Sequence, residues 1–208
     1  MVITDRDYRI LKVIHRFRVV LGRHIKELCG FNDFRACDRR LKQLIDGKYI
    51  TKDRVLYGVS AIYTLTHKGK VLIGVSKRQD KFRIDQIRHD IIVLDTICYF
   101  LKNGKIKLDE IVTEKELHAV DGFSARTHYP DYITVDFEKN EKIAYEIELT
   151  PKNKKRFEKN VRDGFLYYNI QNWIVPKHEH KIIRLLEEFK NKYPNIKIIY
   201  LDEICTNE

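Results

Sequence analysis

Cysteine is scarce in this 208-residue chain, and its four copies, Cys29, Cys37, Cys98 and Cys205, are scattered with no CxxC pair. That spacing excludes a disulfide framework and a zinc knuckle, so all four are expected to be reduced thiols. Glycine (9) and proline (4) are also few, and no repeat or low-complexity tract interrupts the chain. A collagen-like, linker-rich or solenoid protein is thereby excluded. No run approaches the roughly 18 apolar residues of a membrane span. The opening Met1-Val2-Ile3-Thr4-Asp5-Arg6-Asp7 lacks the charged-then-apolar layout of a secretory signal, so a cytoplasmic chain that does not engage a membrane is expected. Walker loops, GxGxxG turns and Ser-His-Asp patterns are absent as well. What is present is 43% apolar residues, with 11% aromatic, enough at this length to fill a packed core.

The net charge of +10 is unevenly placed: residues 1–80 hold 18 Lys and Arg against 8 Asp and Glu, whereas residues 81–208 hold 22 against 22. Such asymmetry points to a module that meets a polyanion joined to one that does not, with nucleic acid as the leading partner. Two domains are expected, over residues 1–78 and 79–208, joined by a short charged connection around Asp80 to Ile84.

In the basic part, Thr4, Asp5 and Asp7 supply a cap and first-turn acids. Tyr8, Leu11, Ile14 and Phe17 then recur at helical spacing, which predicts a helix over about 5–17. A short helix from Arg23 to Cys29 should end at Gly30 in a left-handed conformation. Asn32 or Asp33 caps a third helix whose apolar face carries Phe34, Cys37, Leu41, Leu44 and Ile45, and whose opposite face carries Arg35, Arg39, Lys42 and Gln43. Tyr49-Ile50-Thr51 and Ala61 to Thr66 read as two strands, with Arg54, Gly58 and Ser60 in the segment between them. Two short helices, a turn and a strand pair resemble a winged helix-turn-helix domain over roughly residues 4–75. In such a domain Arg35, Arg39, Lys42 and Gln43 face base edges of double-stranded DNA, while Lys52, Arg54 and Lys68 face phosphates.

The neutral part opens with a long predicted helix from about Ile84 to Lys102, with Ile87, Ile91, Leu94, Cys98 and Leu101 on one face and Gly104 beyond its end. A strand over Ile106 to Val112 follows, then a helical or irregular stretch containing Glu114 and Glu116. Residues 128–137 and 142–150 are β-rich runs around a polar turn and read as a hairpin. A turn centred between Lys139 and Asn140 sets Asp131 opposite Glu148, and a slip of two residues sets it opposite Glu146. The sequence leaves both open. Strand alternation puts Glu146, Glu148 and Thr150 on one face, with Lys152 following. Carboxylates gathered this way repel unless a cation sits among them, and hard oxygen ligands suit Mg²⁺ or Mn²⁺.

Pro130-Asp131, the hairpin, Glu146-Ile147-Glu148 and Lys152 resemble the PD-(D/E)xK nuclease superfamily. After them come a predicted helix (about 155–170), a strand (172–175), a helix (about 179–191) and a strand (196–201), an α/β order like that of restriction-endonuclease folds. The fold class is therefore expected to be α+β or α/β: an N-terminal winged helix-turn-helix, then a restriction-endonuclease-like sandwich with a mixed central sheet. The departure from the pattern is specific, because Glu148 and Thr150 stand two residues after the glutamates where the superfamily has Lys.

Taken whole, the winged helix with Arg88-His89-Asp90, Pro130-Asp131 and Glu146-Ile147-Glu148-Leu149-Thr150-Pro151-Lys152 resembles the replication-relaxation family and its MobC-type plasmid relaxases. The resemblance implies a metal-dependent nuclease that recognises an origin and nicks or melts one strand without a covalent tyrosine intermediate. It implies that Asp131, Glu146 and Glu148 hold Mg²⁺ or Mn²⁺ and that Lys152 orients water or stabilises charge. Glu114 or Glu116 would match the superfamily's upstream acid, and transfer or replication proteins would be partners. Cutting both strands would require a homodimer, for which the sequence carries no signal. The alternative is a non-catalytic regulator or accessory origin-binding protein with a degenerate nuclease domain. His178-Glu179-His180 reads as a surface helix start, Tyr167-Tyr168 as packing, and His89 as a hydrogen-bonded histidine.

Overall fold

The computed structural model describes residues 2–17, 19–55, 57–75, 84–121 and 128–204. It divides into two compact units, Met1–Cys98 and Tyr99–Glu208. The boundary expected at 78/79 and Cys205 both lie outside the described residues. No helix among the described residues is long and apolar enough to cross a membrane.

The first unit starts with α1 (Asp5–Arg16), in which Ile10, Leu11, Val13 and Ile14 are buried. Its N-terminus is closed by Thr4, whose amide and hydroxyl both donate to Asp7 Oδ2 (2.7 and 2.8 Å). α2 (Gly22–Leu28) is followed by Gly30 at φ +65°, the left-handed residue the sequence predicted. Asp33 caps α3 (Phe34–Asp46) by accepting from Ala36 N at 2.7 Å. Strands β1 (Ile50–Asp53) and β2 (Ile62–Leu65) pair antiparallel, Ile50 opposite Leu65. Thr66 then caps α4 (His67–Leu72), where Gly69 is obligatory because a Cβ would stand 2.2 Å from the Tyr49 carbonyl. The core gathers Val19, Leu21, Ile62, Ile87 and Ile91, the last two from α5 (Ile84–Lys102). One expectation is corrected: Phe34 is 52% exposed rather than part of the apolar face of α3, and its ring lies under Lys26 Nζ at 5.2 Å. The three described thiols, Cys29, Cys37 and Cys98, are free and buried, and burial pushes Cys29 up to about 12 and Cys37 to about 11.

The second unit is built on a mixed five-stranded sheet in the order β3 (Ile111–Thr113), β4 (Tyr132–Asp136), β5 (Glu141–Ile147), β6 (Ile170–Val175) and β7 (Ile196–Tyr200). The first two junctions are antiparallel and the last two parallel. α6 (Glu114–Asp121) lies between β3 and β4 in the chain; α7 (Lys154–Tyr167) and α8 (His180–Lys190) are the crossovers that parallel pairing requires, and α9 (Leu201–Ile204) follows β7. The strand expected over Ile106 to Val112 is shorter, because Lys107 and Glu110 close a turn: Lys107 N donates to Glu110 Oε2 and Glu110 N to Lys107 O. One sheet face buries Trp173 and Val175 against Phe157 and Val161 of α7 and Ile182, Leu186 and Phe189 of α8. On the other face the Tyr132 and Tyr145 rings stack at 4.5 Å, with Phe100 5.5 Å from Tyr145. α7 approaches the sheet at Gly164, where a Cβ would stand 2.2 Å from Gln171 Oε1.

The first unit depends on one buried ion pair. Asp7 is fully buried, and the Arg40 guanidinium donates to both its carboxylate oxygens. Burial alone would raise the Asp7 pKa, but Arg40 and the Thr4 donors outweigh it and hold it below the usual carboxylate range. Asp7→Asn is expected to cost about 3 kcal/mol at pH 7, read as a lower urea midpoint by circular dichroism. Asp7 contributes its full stabilisation above the ordinary carboxyl pKa of about 4 and loses it as pH falls through its own lowered value. The gap between variant and parent should therefore narrow in acid. A gap of equal size at pH 2 would show that the ion pair is not its source.

Candidate functional site

The hairpin brings the predicted carboxylates together. Asp136 Oδ1 accepts from Glu138 N and Lys139 N (both 3.0 Å), and Asn140 takes φ +52°. This turn is centred between Glu138 and Lys139, one residue earlier than the first register considered. Tyr132 thus faces Tyr145, and carrying the register one residue on sets Asp131 opposite Glu146. Asp131 Oδ2 accepts from Ile147 N at 2.7 Å, which holds the carboxylate across the end of β5.

Alternation along β5 puts Ala144 and Glu146 on the face covered by helices, with Trp173 as the β6 neighbour of Glu146. Glu148 follows the strand and still donates its amide to Ile174 O (3.0 Å). Glu146 and Glu148 are only 7% and 2% exposed. Lys152 reaches back to both: its Nζ lies 2.6 Å from Glu148 Oε2 and 3.6 Å from Glu146 Oε1. His128 completes the group, with Nε2 3.3 Å from Glu146 Oε2. The histidine, three residues before Asp131, was not singled out in the sequence, because its contact with Glu146 is made across the hairpin.

Burial pushes the Glu148 carboxyl up despite the adjacent Lys152. Burial works against the charges of Lys152 and His128, but the carboxylates outweigh it and hold both above their ordinary values. The Asp131 charge also reaches His128, Glu148 and Lys152. Among the described residues no three His, Cys, Asp or Glu side chains already stand together as a metal-binding group. The donor chemistry nonetheless fits a hard divalent cation: Glu146 Oε2 and Glu148 Oε2 are buried carboxylate oxygens whose neighbours are the His128 and Lys152 side chains.

The remaining predicted residues separate by role. Glu116 Oε2 accepts from Thr113 N and Oγ1 (2.8 and 2.9 Å), which commits it to the start of α6. Glu114 Oε1 lies 3.7 Å from His118 Nε2. In the first unit Arg35, Arg39, Lys42 and Gln43 are exposed along α3, as are Lys52, Arg54 and Lys68 beyond it. Gln43 accepts from Arg40, and Lys68 Nζ donates to Gly47 O (2.9 Å) at the end of α3 over the Tyr49 ring. Arg6 and Arg9 of α1, which sequence reasoning passed over, line a groove with Arg39 and Gln43. Their signal was a pair of cations three residues apart on the exposed side of α1. Tyr168 is buried as expected, whereas Tyr167 is 45% exposed; His178 and His180 are exposed, and His89 lies 3.8 Å from Asp90. No model of a known protein family matches the chain, and no curated protein matches it.

Two buried carboxylates sharing one ammonium define a double-mutant cycle. Lys152→Met should destabilise the chain by about 3 kcal/mol in urea unfolding, because it strands charge in the interior. Adding Glu148→Gln should recover part of that loss. Equal losses in the single and double variants would show that Lys152 does not neutralise Glu148.

Proposed function

We propose that the chain is a site-specific, divalent-metal-dependent DNA endonuclease of nickase type, with a winged-helix first unit and a PD-(D/E)xK-like second unit. The observation that carries this reading is the convergence of Asp131, Glu146, Glu148 and Lys152 at one end of an internal strand. A buried carboxylate pair is costly, and apolar residues of similar size would serve packing better, so its presence argues for chemistry. The succession of α5, three antiparallel strands with α6 between the first two, α7 and a parallel strand supports the restriction-endonuclease-like assignment.

On this reading Asp131, Glu146 and Glu148 would hold Mg²⁺ or Mn²⁺. The bound ion would polarise the scissile phosphate and acidify a water. Lys152, on its flexible stem, turns from the glutamates toward the phosphate and balances the charge that develops there. Ile147 N keeps the Asp131 carboxylate oriented, and His128 keeps Glu146 from turning into the apolar cluster of Tyr129, Ile133 and Tyr168. In the first unit, α3 presents Arg35 and Arg39 to base edges of duplex DNA, while Lys52 of β1 and Arg54 just after it face phosphates.

A second reading, a non-catalytic DNA-binding regulator, is favoured by one specific observation. Lys152 Nζ at 2.6 Å from Glu148 and His128 Nε2 at 3.3 Å from Glu146 place a basic side chain on each glutamate, where a metal would otherwise supply the positive charge.

Cleavage of supercoiled plasmid from the chain's own genetic element separates the two. With Mg²⁺ or Mn²⁺, open-circle product is expected, about 100-fold less with Asp131→Ala or Glu148→Ala, and none in EDTA. Arg35→Ala with Arg39→Ala should weaken duplex binding about tenfold or more. Binding without cutting under either metal would establish the regulator.

A further inference from the structure

α7 carries a second feature that the carboxylate site does not use. Its inner face buries Phe157, Val161 and Gly164, while Lys155, Lys159 and Arg162 recur at i, i+4 and i+7 along its exposed face. These three border a groove completed by Glu158, Lys192 and Tyr193. The acids near it are few. Glu158 pairs with Lys192 at 3.0 Å, and the carboxylate next to Arg162 is that of Asp163 at 3.9 Å. Lys155 and Lys159 form no ion pair among the described residues.

The row of cations ends in exposed apolar side chains. Phe165 is 40% exposed with its ring 5.5 Å from that of Tyr193, and Leu166 is 66% exposed. Lys155 and Arg162 are separated by about 10 Å along the helix axis. A stacked nucleic-acid strand carries about three phosphates over that length. The other end of the row is fixed to the site, since Lys152 stands just before Asn153, the N-cap of α7.

We propose that the outer face of α7 is a track for one single nucleic-acid strand, with Lys155, Lys159, Arg162 and Lys192 on its phosphates and Phe165 stacked on a base. Charge complementarity selects a polyanion. The exposed ring selects a single strand, because the base faces of a duplex are already stacked on one another. Nucleic acid as the occupant rests on the reading of the neighbouring carboxylates given above, and binding is therefore measured in EDTA, where cleavage plays no part.

The test is fluorescence anisotropy of labelled dT20 with the full chain across a salt series. Lys155→Gln/Lys159→Gln/Arg162→Gln is expected to weaken dT20 binding tenfold or more and to lower the slope of log K against log salt by about 2. The effect on a 20-base-pair duplex should be smaller. Phe165→Trp, whose only background is the buried Trp173, should change emission when dT20 saturates the protein. Circular dichroism of the variants confirms that each is folded. The proposal is overturned by an unchanged salt slope, by an equal or larger loss on duplex, by wild type that does not bind dT20, or by polyglutamate competing as well as dT20. Loss of plasmid cleavage with dT20 binding intact would sink the nuclease reading alone.

Discussion

Two carboxylates on the helix-covered face of an internal strand cannot stay ionised without positive charge close by, and much of the second unit answers that requirement. Taking a carboxylate out of water costs several kcal/mol even after relaxation. Glu146 and Glu148 meet that demand through Lys152, which follows a short irregular segment after β5, and through His128, which precedes β4. Both basic side chains come from the ends of the hairpin that bears the acids. The hairpin register, set by the Asp136 turn, therefore decides whether the group assembles.

The first unit handles charge differently. Several of its cations are spent on the fold: Arg40 on Asp7, Arg23 on Asp95 through two 2.8 Å contacts, and Lys68 on the end of α3. His24 also serves the fold, as an uncharged ring. It accepts from Leu21 N through Nδ1, so Nε2 carries the proton and donates to Asp95 Oδ1 at 2.9 Å. Burial lowers its pKa against the pull of Asp95, and it acts as a neutral clamp between α2 and α5. Others stay outward, among them Arg35, Arg39 and Lys42 on α3, Lys52 and Arg54 beyond it, and Arg6 and Arg9 on the groove shared with Arg39.

Helices were legible wherever apolar spacing and a cap agreed. α1, α3 and α5 fall within a residue or so of their expected bounds, because Thr4, Asp33 and the Ile87-Ile91-Leu94 series are local signals. The hairpin was legible too, and so was the shared face of Glu146 and Glu148, since strand alternation follows from geometry alone. The register was not, because it turns on which of two adjacent positions centres the turn, and only the Asp136 side chain decides that. His128 escaped notice for a related reason. Its contact with Glu146 spans 18 positions and follows no period. The shortened β3 and the exposed Phe34 turn on side-chain contacts that apolar periodicity does not encode: a local Lys107–Glu110 turn overrides β-propensity in one, and the other finds its ring covered by Lys26 rather than by the core.

The close approach at Gly164 has a mechanical consequence. A methyl group at position 164 would meet the Gln171 amide, which Asn195 and Trp173 already engage, so glycine is what lets α7 lie this close to the sheet. That close approach sets the depth at which α7 packs, and with it how far the cations on its outer face stand from the carboxylate pair, like marks on a ruler. Evolution can redraw those marks one at a time, changing what the helix holds, without altering the distance from which it is presented.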